Sequence, residues 1–213
     1  MRDGYEEQVD MAQEVRVSET ATKSPAAVHK GSGVAVEEPR WYIAECKETR
    51  ERTVRSMLQK GGYEAYVASQ VETHVYKSRN RRQVEKILLP CRVFVRTEQR
   101  NLMPIMQSYS SVYRFHIDRA AKANDHGHQP FAFVPDDQMQ QLQYVLGKAA
   151  NPVCFTADDL VLDQKVRIMR GPLSGLEGWF YQKESSSYIV IKVEMGFSHY
   201  AYTEIPIEDV QPV

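Results

Sequence analysis

What the chain lacks narrows its class first. Nowhere in its 213 residues is there an apolar run of about 18 residues, so a transmembrane helix is not expected. The opening residues, Met1-Arg2-Asp3-Gly4-Tyr5-Glu6-Glu7, are acidic and carry no apolar core, so a secretory signal is not expected either. Cysteine is scarce: Cys46, Cys91 and Cys154 are odd in number and scattered, which argues against a disulfide framework and fits reduced thiols in a cytoplasmic protein. No P-loop or dinucleotide fingerprint occurs, so no cofactor is expected. Gly196-Phe197-Ser198-His199-Tyr200 begins like a nucleophile elbow, but Tyr200 stands where the last glycine is needed. His126-Gly127-His128 has only Asp125 beside it and reads as a polar loop, so no metal is expected. Asp136-Asp137 reads as an N-terminal helix cap rather than a catalytic pair. The chain is expected not to be an enzyme.

What is present suffices for a proper core, with 42% apolar and 26% charged residues. The formal net charge of −1 hides an asymmetry. Residues 1–38 carry four basic and eight acidic side chains, and residues 160–213 carry five and seven, so the basic excess lies between them. A nucleic-acid contact is sought there first. The net −2 of residues 160–213 argues against strong nucleic-acid binding by that part.

Residues 1–38 have no sustained periodicity and are expected to be a disordered acidic tail. The aromatic and β-branched run 41–46 predicts a strand, and 48–60 predicts a helix stopped by Gly61-Gly62, with Glu48 and Glu51 favourably placed on its dipole. Strands are predicted at 63–67, 87–97 and 112–117, with a basic β-hairpin at 74–86. Short helices are predicted at 102–109 and at 134–147, the second carrying Met139, Leu142 and Leu146 on one face. Residues 149–159 read as a linker. Strands at 164–169, 178–182, 188–193 and 200–205, separated by turn residues, then predict a small β-barrel.

Within that barrel, Val166-Arg167-Ile168-Met169-Arg170-Gly171-Pro172-Leu173-Ser174-Gly175-Leu176-Glu177-Gly178 resembles a KOW motif, in which three glycines relieve crowding where one strand turns into the next. Upstream, Trp41-Tyr42-x-Ala44-x-x-Lys47, Gly62-x-Glu64-Ala65-Tyr66-Val67, Leu89-Pro90-x-x-Val93-Phe94-Val95 and Phe131-x-Phe133-Val134-Pro135-Asp136 resemble the NusG N-terminal (NGN) domain. Val112-Tyr113-Arg114-Phe115 together with Val134-Pro135-Asp136-x-Gln138-Met139 resembles the specialised UpxY-type members, antiterminators of capsular polysaccharide operons. A departure points the same way: Leu89-Pro90-Cys91-Arg92 stands where the housekeeping family has Phe-Pro-Gly-Tyr.

The resemblance implies an α+β fold: an NGN α/β sandwich with an antiparallel sheet at 39–148, the linker at 149–159, and a C-terminal all-β, SH3-like KOW barrel at 160–213. It implies a monomeric transcription elongation or antitermination factor that binds RNA polymerase and suppresses pausing or termination, with no membrane association. Carried over by position, Glu45, Leu89, Arg92 and Phe94 form the polymerase-binding surface, although plain strand core is an equal reading of Phe94. Lys47, His74, Lys77, Arg79, Arg81 and Arg82 approach upstream or non-template DNA, with Arg50 and Arg52 near them; a solvated loop tip is the plainer alternative. Leu173, Leu176 and Phe180 are candidates for a barrel contact with a ribosomal protein or termination factor, whereas Trp179 is expected in the core. Two alternatives stay open: a housekeeping NusG factor, and an RNA- or ribosome-binding KOW protein.

Overall fold

Alternation along one strand organises the first half of the chain. In β1 (Arg40–Cys46), Tyr42, Ala44 and Cys46 point to one side while Trp41 and Ile43 point to the other, and both sets are buried. A strand covered on both faces needs two layers around it. β5 (Arg92–Thr97) runs antiparallel to β1, with Ile43 opposite Phe94 and Glu45 opposite Arg92. β2 (Glu64–Tyr66) and β6 (Val112–Phe115) complete the order β2-β5-β1-β6, and the two-residue β7 (Phe133–Val134) also pairs with β1. Val54 and Leu58 of α1 (Glu51–Lys60) and Leu102 and Ile105 of α2 (Leu102–Ser108) cover the Tyr42 face. Met139, Leu142 and Val145 of α3 (Asp136–Lys148) join Trp41, Ile43 and Phe94 on the other.

The computed structural model describes residues 37–75, 81–158, 160–195 and 198–213. The expected tail therefore lies outside the described residues except for its last two positions, as do Lys77, Arg79 and the Gly196-Phe197 pair. Among the described residues, no helix is long and apolar enough to cross a membrane.

The strand expected at 87–97 starts only at Arg92, with Ile87 closing the preceding strand and 88–91 forming a turn. β4 (Arg81–Ile87) ends before a turn that contains Pro90 and Cys91, and β5 starts after it. Cys91 has φ +62°, left-handed backbone that costs a non-glycine residue about 1–2 kcal/mol. Its N–H donates to Glu51 Oε1 at 2.8 Å, so the buried carboxylate in the first turn of α1 holds this turn. β3 (Ser69–Val75) and β4 form a separate two-stranded ribbon, with His74 opposite Arg82. Glu85 anchors its base, accepting from Arg52 Nε at 2.7 Å, Arg55 Nη1 at 3.3 Å and Ser69 Oγ at 2.6 Å. The expected acidic cap of α3 is corrected: Pro135 occupies the cap position, both aspartates lie in the first turn, and Asp136 Oδ2 accepts from Arg96 Nη2 at 3.0 Å.

The second half forms a six-stranded antiparallel sheet in the order β13-β9-β10-β11-β12-β8. The four expected strands are β9 (Lys165–Ile168), β10 (Glu177–Lys183), β11 (Ser186–Glu194) and β12 (Ser198–Glu204). Two more were not legible. β8 (Val153–Thr156) falls inside the expected linker and pairs with β12, and β13 (Val210–Pro212) pairs with β9. Both are too short to show a periodicity. Gly171 and Gly175 take φ of +84° and +87°. Gly178 meets a different need, since a Cβ there would lie 2.7 Å from Ile189 Cγ1 and 2.8 Å from the Val190 carbonyl.

The inner side of this second sheet does not close a core of its own. Val166, Leu173, Ile189 and Val193 belong to the same buried cluster as Trp41, Phe94 and Leu142. The Tyr144 hydroxyl on α3 lies 3.3 Å from the Pro172 carbonyl and 3.2 Å from that of Ser174. Between the halves, buried Gln70 on β3 donates to the carbonyls of Ala149 (3.3 Å) and Asn151 (3.0 Å) and accepts from Val153 N–H (3.0 Å). Among the described residues, the fold is mixed α and β with largely antiparallel sheets.

Gly178→Ala is expected to destabilise the protein by about 1–3 kcal/mol, because backbone stands in the way of the added methyl. Gly127→Ala, with open space around it but φ +77°, serves as a reference for backbone strain alone. Urea denaturation midpoints measure both, and an unchanged midpoint for Gly178→Ala would contradict the packing argument.

Candidate functional site

Glu45 is the centre of a charged cluster at one end of the sheet. It stands on β1 between Arg92 on β5 and Arg114 on β6. Arg114 Nε donates to Glu45 Oε2 at 2.6 Å, and His116 Nε2 lies 2.9 Å from Glu45 Oε1. Partial burial works to raise the Glu45 pKa, but the Arg114 hydrogen bond, His116 and the charges of Arg114 and Arg92 outweigh it and hold the carboxyl below its ordinary value. His116 is also held below its ordinary value, which for an imidazole favours the neutral form. Burial lowers its pKa most, Glu45 opposes that, Arg92 and Arg114 add to it, and a hydrogen bond to the backbone of Met195, just past β11, opposes it. His116 thus touches both halves of the molecule. Its role was not legible in the sequence, where it is one polar residue inside the strand expected at 112–117, which the structure ends at Phe115.

The other two expected members of this surface lie deeper. Phe94 is 0% exposed and packs against Tyr66 with ring centroids 6.4 Å apart, and Leu89 is 3% exposed. Both belong to the core shared with α3 and the second sheet. The reading of Phe94 as plain strand core thus describes its place in this conformation, while Glu45 and Arg92 remain half-exposed beside it.

The basic ribbon brings Arg81 and Arg82 to an exposed position at the start of β4, across from Val75 and His74. Lys47 is exposed just beyond β1. Arg52 is not free for nucleic acid in this arrangement, because its guanidinium is held by Glu85. In the 118–130 loop, Asn124 Oδ1 accepts from the backbone N–H of His126 (3.1 Å) and His128 (2.9 Å), which makes that segment a closed polar turn.

On the second sheet the expected apolar patch is corrected. Leu173, Leu176 and Phe180 are 5%, 7% and 7% exposed and lie in the shared core, whereas Trp179, expected inside, is 40% exposed. The reason is strand alternation: Gly178 and Phe180 face inward on β10, so Trp179 between them faces out.

Both groups are held below their ordinary pKa values, but in different pH windows, which separates their effects on stability. His116 favours its neutral form in the folded protein, so its contribution is complete above its ordinary value of 6.5 and is lost as pH falls through the lowered folded value. Glu45 acts in a more acidic window, below 4.5. His116→Gln is expected to flatten the fall in melting temperature that begins below pH 6.5 and to leave the more acidic loss in place. Identical profiles for wild type and variant would refute the assignment.

Residues 39–143 match the family described as "Transcription termination factor nusG". No sequence match is found among curated proteins. Among solved structures, one titled for domain interaction in Thermotoga maritima NusG is 18% identical, covering 83% of this chain and 98% of its own, with a TM-score of 0.39. Two conformations of an MjSpt4:Spt5 complex are 12% identical, cover 81% of this chain and 97% and 96% of theirs, and have TM-scores of 0.25 and 0.26. The segment that builds the first sheet and most of α3 is thus similar in sequence to the NusG family.

Proposed function

We propose that this protein is a transcription elongation and antitermination factor that binds RNA polymerase through its NusG-family domain. The observation that carries the reading is the family match over 39–143, the segment that contains Glu45, Leu89, Arg92 and Phe94. A factor that bridges two parts of an enzyme stabilises the state in which both are in reach, and so disfavours the opening that pausing and termination require. The half-exposed Glu45–Arg92–Arg114 cluster is the accessible part of this surface. Contact through Phe94 and Leu89 also requires the covering layer to move aside, because both are buried.

The second sheet is read as a KOW barrel. The left-handed Gly171 and Gly175 and the crowded Gly178 support that reading. With Leu173, Leu176 and Phe180 buried, a ribosomal-protein or termination-factor contact through them needs the same displacement. Lys47, Arg81 and Arg82 are exposed and suit phosphate contacts with upstream or non-template DNA. Cys91-Arg92 in place of Gly-Tyr favours a specialised regulator of polysaccharide operons over a housekeeping factor. Cys91 keeps the left-handed backbone that glycine adopts without strain, so the turn persists while its chemistry differs.

Immobilised full-length protein is expected to capture core RNA polymerase from its own source. Arg92→Ala is expected to weaken capture about tenfold, the equivalent of about 1.4 kcal/mol. Tyr144→Ala, which removes the hydroxyl beside the Pro172 and Ser174 carbonyls, is expected to strengthen it. Absence of capture by a chain with native circular dichroism would sink the polymerase reading.

A further inference from the structure

Two of the three cysteines meet across one strand pair. Glu45 on β1 stands opposite Arg92 on β5, and one position further along the Cys46 N–H donates to the Cys91 carbonyl at 2.9 Å. A hydrogen-bonded antiparallel pair holds its Cα atoms about 5.5 Å apart, inside the window of roughly 4.4–6.8 Å that a disulfide spans. Cys46 continues the side of β1 that carries Tyr42 and Ala44, the side covered by α1. Cys91 is pinned to the same helix, because its N–H is held by Glu51. Both are free thiols, Cys46 buried and Cys91 half-exposed.

The surroundings of the pair act on its chemistry. The Glu51 carboxylate is 2% exposed; its Oε1 takes the Cys91 N–H, and its Oε2 has no hydrogen-bond partner among the described residues. That buried charge works on both thiols. Burial first, then Glu51, then Cys91 itself push the Cys46 thiol up to about 12. Cys91 is raised as well, by burial first and then by Glu51, with Glu48 and Glu45 adding to the rise and Arg92 opposing it. The two side chains are thus within reach of each other and of one carboxylate. A protonated thiol is a poor nucleophile, so these surroundings keep the pair reduced until an oxidant persists.

We propose that Cys46 and Cys91 form a reversible disulfide that closes and opens with the thiol–disulfide balance of the surroundings. The half-exposed Cys91 thiolate attacks one sulfur of a small disulfide oxidant such as oxidised glutathione, forming a mixed disulfide and releasing one thiolate. The Cys46 thiolate then attacks the Cys91 sulfur and expels the second. The dithiol loses two electrons and two protons; the S–S bond of the oxidant breaks, and its two departing thiolates take up the protons. The new bond ties β1 to the turn ahead of β5 and closes the loop that contains α1, β2 and the β3–β4 ribbon. It lies one residue from Glu45 and one from Arg92, so the redox state is felt at the charged cluster. Disulfides formed in reducing compartments are usually of this transient, sensing kind. The chemistry of the pair does not depend on polymerase binding.

The test uses the full-length chain with Cys154→Ser, which removes the exposed third thiol. The protein is incubated with oxidised glutathione, its remaining thiols are alkylated, and its peptides are mapped by mass spectrometry without reduction. The expected result is a peptide pair linked through Cys46 and Cys91 that dithiothreitol separates, with circular dichroism unchanged. With Cys46→Ser added, glutathione is expected to stay on Cys91, because nothing resolves the mixed disulfide. Closure is expected to quicken with rising pH. Glu51→Gln keeps an oxygen for the Cys91 N–H but removes the charge, and is expected to shift that rise to lower pH. A glutathione adduct that persists on Cys91 while Cys46 is present would overturn the proposal, as would two thiols that alkylate as in untreated protein. An unshifted pH profile in Glu51→Gln would overturn the role given to its charge.

Discussion

A β-sheet whose strands are apolar on both sides has to be covered twice, and most of this molecule follows from how the second covering is made. The Tyr42 side of the first sheet is closed locally by α1 and α2. The Trp41 side is met by a single helix, α3, and the second sheet supplies the rest of the cover. Because that sheet turns its own apolar side to the same place, the two halves meet in one core. The polar contacts at the seam then have defined tasks. Gln70 fixes the connection between the halves, Tyr144 fixes the first turn of the second sheet, and His116 bridges from the Glu45 cluster to Met195.

This covering also decides which charges are available to partners. Glu45 and Glu85 each collect two basic partners, one at the sheet's end and one at the ribbon's base. Arg52 and Arg55 are thereby paired with Glu85 and Arg114 with Glu45, while Lys47, Arg81 and Arg82 are exposed. A basic surplus counted along the chain does not distinguish the two groups.

The sequence was most legible where one periodicity ran long enough to choose between helix and strand, as in β1, α1, α3 and β11. It was least legible at single residues whose direction depends on register. Trp179 and Phe180 are adjacent and similar in chemistry, and one shift along β10 exchanges which is buried. Phe94 was correctly placed on a strand, but its burial depends on a core many of whose other members lie far along the chain. Cys91 interrupts an apolar run in a way that only its positive φ reveals, and β8 is four residues inside a stretch that otherwise resembles a connection. Glu45, Arg92 and Arg114 become neighbours only through strand order, which spacing along the chain does not encode.

The second sheet's share of the common core is encoded last. Leu173, Ile189 and Val193 follow α3 in the chain, so during synthesis the first sheet emerges from the ribosome with one apolar side incompletely closed. Until β11 arrives, that side is a sticky surface in a crowded compartment, exposed to chaperones and to association with other nascent chains.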